Sequence, residues 1–190
     1  MIDSKHLERR DFLGGALAAF PLAFLGQSGK PAATSAVKPV RAGEDRLGEH
    51  HTIGVSTTAF KVLTADSAGA LFLFEHRNAG GKKGGPPRHL HHNEDEWFYV
   101  IEGQYIAEIG STRVELKPGD SILGPREVPH AWAFVGDIPG RLLIAFAPAN
   151  KMEAFFRGNE KRRKGNEYMN DAELYRAHGM ELLGPPLSVG

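Results

Sequence analysis

The chain has 190 residues, 41% of them apolar, with 23 basic residues against 23 acidic ones, nine histidines and no cysteine. This length holds one domain, or one domain plus a tail, and the apolar share suffices for a packed core. Zero formal charge argues against a nucleic-acid binder or a polybasic membrane adsorber, and the missing cysteines exclude disulfides, thiolate metal sites, cysteine nucleophiles and cysteine lipidation.

Residues 1–36 read as an export leader. Arg9-Arg10-Asp11-Phe12-Leu13 precedes an apolar stretch over 14–25, interrupted by Pro21, and a small-residue segment, Ala32-Ala33-Thr34-Ser35-Ala36. About a dozen apolar residues cannot span a ~30 Å bilayer as a helix, but they match the apolar region of a signal peptide. The paired arginines followed by Phe12 and Leu13 resemble the twin-arginine export signal. The expectation is a periplasmic or secreted protein, exported folded and without a stable membrane anchor. Folding before export suits a protein that loads a metal.

Residues 37–149 read as antiparallel strands. Short β-rich runs over 53–63, 70–77, 97–102, 104–109, 113–116, 121–123, 130–135 and 141–146 are separated by Gly, Pro and Asp. Gly110-Ser111 is a two-residue hairpin signal, and Pro118-Gly119-Asp120 and Pro125-Arg126 punctuate the later strands. Such a series points to a sandwich, jelly roll or barrel.

Beyond Pro148 the period changes, and 150–190 reads as a helical tail. Asn150 before Glu153, with Met152, Phe155 and Phe156 as an apolar side, marks one helix start. Asn170 before Glu173 marks a second, ending at Gly179. The basic residues between them, Arg157 and Lys161-Arg162-Arg163-Lys164, read as a solvated linker.

The chemistry concentrates around His89-Leu90-His91 and Glu96. Histidines two apart on a strand leave the same face, and a turn of four polar residues lets Glu96 return beside them. His130 supplies a third imidazole from a distant strand. Three imidazoles and one carboxylate form a site for one divalent transition metal (Fe, Mn, Ni, Cu, Co or Zn) with positions open to water or substrate. Of the other histidines, His50, His51, His76 and His178 read as surface or hydrogen-bonded residues, and His92 as exposed or behind the ligands. Strand parity sets Phe98 and Val100 on the side of Glu96, and Trp132 and Phe134 on the side of His130. These four would line an apolar, aromatic pocket or fill the core.

At these residues the sequence resembles the cupin superfamily. The first cupin motif, HxH, four residues, E, six residues, G, is met by His89, His91, Glu96 and Gly103; the second by Gly119, Pro125 and His130. Glu127 stands where glycine is usual, so a slightly different turn is expected there, and Phe134 stands where asparagine is usual. The resemblance implies an all-β fold, a double-stranded β-helix (jelly-roll cupin barrel), with the short C-terminal helical tail read above. The closing residues are similar to those of bacterial cupins related to quercetin dioxygenases. That likeness implies a metal-dependent oxygenase in which Glu96 is both a ligand and the catalytic general base toward a substrate hydroxyl. Two further readings stay open: a non-redox isomerase or lyase using the metal as Lewis acid, and a periplasmic module that only binds a small molecule. In each the partner is a small molecule, and exposed sheet edges favour a homodimer.

Overall fold

The computed structural model describes residues 38–49, 51–53, 56–161 and 171–189. The expected leader, His50, the Asn170 cap and residues 162–164 of the basic run lie outside them. In chain order come strands β1 (His51–Ile53), β2 (Ser56–Val62), β3 (Phe72–Asn78), β4 (Pro87–His91), β5 (Asp95–Glu102), β6 (Tyr105–Ile109), β7 (Thr112–Leu116), β8 (Ser121–Gly124), β9 (His130–Phe134) and β10 (Gly140–Ala147). Helices α1 (Met152–Lys161) and α2 (Ala172–Ala177) and strand β11 (Met180–Pro186) follow.

The strands form two antiparallel sheets, β1-β2-β3-β10-β5-β8 and β11-β4-β9-β6-β7. This is the expected jelly-roll arrangement of two antiparallel sheets. Period-two alternation drives it: along β5, Glu96, Phe98 and Val100 are buried while Trp97 and Tyr99, on the other face, are less so. The same alternation sends Phe72 and Phe74 of β3 and Leu142, Ile144 and Phe146 of β10 into one core. Gly110-Ser111 forms the expected two-residue turn, with Ile109 opposite Thr112 across the hairpin.

One end of the core is shaped by glycine. A Cβ on Gly140 would stand 2.5 Å from Phe134 Cε2, and one on Gly103 would stand 2.8 Å from Gly140 Cα. The motif glycine Gly103, at φ +87°, is thus required both by its conformation and by the close approach of the next strand.

The tail differs from its sequence reading in three places. Asn150 does not cap α1; its amide turns to the loop before β5. Glu153 accepts instead from Thr64 N at 2.8 Å and from Arg157 Nη2 at 2.8 Å. Helix α2 is capped by Asp171, whose Oδ1 accepts from Leu174 N at 2.9 Å. The segment after Gly179 is a strand: β11 pairs with β4, Met180 facing His91 and Leu182 facing His89.

Phe155 and Phe156 of α1 lie as the sequence pattern expects, on the barrel side. Phe156 sits 4.5 Å from the Phe74 ring and 5.9 Å from that of Phe146. Burial of Phe155 contributes about 1.5–3 kcal/mol, and the partly buried Phe156 less.

Candidate metal centre

Three strands supply the four expected ligands. His89 and His91 leave the same face of β4, His130 is the cross-strand partner of His89 at the start of β9, and Glu96 comes from β5 in the opposite sheet. All four are buried, and one ligand atom from each lies within 4.8 Å of the others. For comparison, opposite ligands of an ion with ~2.1 Å metal–nitrogen bonds stand about 4.2 Å apart.

The imidazoles are oriented, not merely gathered. Glu96 Oε2 lies 2.9 Å from His130 Nε2, 3.2 Å from His91 Nε2 and 3.8 Å from His89 Nε2. Each Nδ1 is engaged behind. His89 Nδ1 lies 2.7 Å from Pro87 O and His130 Nδ1 2.9 Å from Val128 O. A carbonyl only accepts, so both rings carry their proton on Nδ1 when neutral and leave Nε2 as a lone-pair donor. His91 differs: its Nδ1 lies 2.7 Å from Glu94 Oε1, a side chain with no solvent exposure.

Electrostatics divides the four. Burial pushes the His89 imidazole down to about 3, with the neighbouring His91 and His130 acting in the same direction. For His91 burial again opposes charge, but hydrogen bonds to Glu94 and Glu96 outweigh it and hold the group up at about 9. Burial would raise Glu96, yet hydrogen bonds from His130 and His91 keep it well below the usual carboxylate range. The Glu96 carboxylate and the neutral His89 imidazole are forms a metal takes up directly, whereas His91 must give up its extra proton as an ion binds. The donor set suits one divalent transition ion.

Aromatic side chains surround the ligands. Phe98 lies 6.3 Å from the His130 ring and 6.5 Å from Trp132. Phe146 lies 5.4 Å from His91, and Tyr175 of α2 lies 5.6 Å from His89. Of the residues expected to line a pocket, Phe98 thus stands beside a ligand and Trp132 beside Phe98. Phe134 packs its ring on Tyr105 at 5.4 Å, over the glycines at the β10 start, and Val100 is fully buried in the same core.

Glu94, Asn150 and Tyr175 were missed in the sequence. Glu94 is one of four polar residues in a turn, and only its complete burial separates it from Asn93. His92 is exposed, as expected, with Nδ1 3.0 Å from Glu127 Oε1. Glu127 holds a left-handed backbone conformation, at φ +63°. His76 is not a surface residue; it is buried inside the barrel, 3.2 Å from Asn78 Oδ1 and edge-on to Trp132. His51 is likewise buried and stacks on Phe60 at 4.2 Å. His178 Nδ1 reaches Leu174 O at 2.9 Å.

Residues 78–146, which hold all four candidate ligands, match the family model described as the Cupin domain. The likeness is to that domain, over these residues. An uncharacterized protein of Methanocaldococcus jannaschii is 30% identical over 60 residues, covering 32% of this chain and 48% of that protein. The chain thus spans about half the length of the curated relative it matches. Among solved structures, KdgF from Halomonas sp. is 20% identical over 53% of this chain and 86% of its own, with a TM-score of 0.45. An RmlC-like cupin from Shewanella frigidimarina is 23% identical over 55% and 87%, also at 0.45. Streptomyces PAC13 with uridine is 16% identical over 55% and 78%, at 0.44.

Proposed function

We propose that this cupin domain is a metal-dependent oxygenase acting on a small organic substrate, one with an aromatic or enediol hydroxyl. The observation that carries the reading is the convergence of three Nε2 atoms on one Glu96 oxygen inside an aromatic surround. His89, His91 and His130, with Glu96, would hold the ion. When bound, the ion supplies Lewis acidity toward a substrate oxygen and, if redox-active, an electron path to dioxygen.

The chain's own residues do the rest. Glu96 enters as a carboxylate, and its second oxygen is available to accept the proton of a substrate hydroxyl brought beside it. Phe98, Trp132, Phe146 and Tyr175 offer flat apolar faces to a planar substrate and keep water from the site. The twin-arginine-type leader extends the proposal: the protein is exported folded, with its metal in place. A small molecule is the partner this chemistry calls for.

The test is oxygen uptake by metallated protein, lacking residues 1–36, over a panel of flavonols and enediols. Uptake that chelation abolishes is the expected result. No uptake by fully metallated protein across the panel would overturn the oxygenase reading. Turnover by the zinc form under argon would replace it with a non-redox isomerase or lyase, and a co-purified ligand released unchanged with a binding module.

A further inference from the structure

Glu94 is a buried carboxyl group with two partners. Oε1 lies 2.7 Å from His91 Nδ1, and Oε2 accepts from Asn150 Nδ2 at 3.0 Å. The same amide nitrogen donates to Asn93 O at 2.9 Å, so Asn150 pins the loop and the carboxylate together. An unpaired carboxylate in such a place would be costly, and here each oxygen is engaged. Asn150 reaches the pair from a left-handed backbone, φ +41°, between β10 and α1. That conformation is uncommon for a residue with a side chain and needs a local reason.

The three imidazoles are therefore not equivalent. His89 and His130 are oriented by main-chain carbonyls, which no side-chain replacement removes. His91 alone among the three is oriented by a carboxylate. A carboxylate behind a ligating imidazole fixes its ring and makes the opposite nitrogen more basic.

We infer that Glu94, held by Asn150, is a positioning residue that orients His91 and strengthens it as the strongest imidazole donor to the metal. The inference rests on the reading of His89, His91, Glu96 and His130 as the metal's ligands. It also makes the junction before α1 part of the centre: a change at Asn150 reaches the ion through Glu94 and His91.

Cobalt(II) binding tests it without any need for substrate. Full-length wild type, E94A, E94Q and N150A are titrated with cobalt(II) against a competing chelator, and the visible ligand-field spectrum and metal-free melting curve of each are recorded. E94A is expected to bind about 10–100-fold more weakly, with shifted ligand-field bands. E94Q, which can accept from His91 or from Asn150 but must oppose an amide N–H to the other, falls between E94A and wild type. N150A shows a smaller loss in the same direction. E94Q is isosteric and decides the matter if E94A does not fold. If both Glu94 variants bind within twofold of wild type with superimposable spectra, the inference is wrong while the metal reading stands. A wild-type protein that binds no cobalt overturns both.

Discussion

Glu96 Oε2 and His130 Nε2 stand 2.9 Å apart although one side chain comes from each sheet of the barrel. An ion bound there ties the two sheets to each other, so its binding energy is folding energy. Metal at 100 times its dissociation constant should add about 2.7 kcal/mol of stability. Melting curves with and without chelator check this. His130→Ala should abolish the difference; equal curves for chelated and loaded wild type would contradict the link.

Acid sensitivity is the second prediction. Burial pushes His76 down to about 4, against a hydrogen bond to Asn78 that acts the other way. Between that value and the unfolded ~6.5, the unfolded chain binds a proton that the folded one refuses. Stability is fully present above ~6.5 and declines as pH falls toward 4. From pH 7 to pH 5 the residue should cost about 2 kcal/mol. Urea titrations of wild type and His76→Gln at the two pH values isolate it: the variant should lose less. Parallel losses would show that His76 protonates without resistance.

Gly85 is the third. A Cβ there would stand 1.8 Å from Trp132 O and 2.8 Å from Trp132 C, both main-chain atoms. Main chain cannot swing aside as a side chain can, so Gly85→Ala should reach or exceed the ~3 kcal/mol upper range of overpacking. Gly43→Ala is the poor control, because Gly43 has φ +86°; Gly158, with open space around its Cβ position, is the good one. A melting temperature for Gly85→Ala equal to that of Gly158→Ala would refute the packing argument.

At Glu127 the prediction runs the other way. Its φ of +63° costs a side-chain-bearing residue about 1 kcal/mol, and glycine avoids that cost. Its contact with His92 is between exposed groups and is worth little. Glu127→Gly should be neutral or stabilising by up to about 1 kcal/mol in denaturant titration. A clear loss of stability would give the His92 contact a weight that exposed pairs rarely have.

The strand-rich fold and the shared face of His89 and His91 were legible because alternation is a short-range rule, whereas His130, 34 residues beyond Glu96, entered the set through the resemblance to the second cupin motif. Alternation set Glu96 with Phe98 and Val100 on one face, and the HxH spacing put His89 and His91 on another. Glu94 was not legible, since its role depends on a turn folding back until Asn150, far along the chain, closes over it. His76 looked incidental because a lone histidine carries no signal until its strand is seen to face inward. Strand β11 was hidden by its own composition. In Leu183-Gly184-Pro185-Pro186 the two prolines have no backbone N–H to donate, and the pairing with β4 slips at Leu182/Gly184 and at Gly184/Pro186. Such a strand survives only at the edge of a sheet.

That edge position sets a timetable. β11 lies against the strand that carries His89 and His91, yet the ribosome makes it after every other described element. A nascent chain that has finished α2 already owns every ligand, but β4 still has one bare edge. The sheet behind the two histidines is completed only when residues 180–186 emerge, so a chain stalled before that point would present its ligands on an unfinished wall.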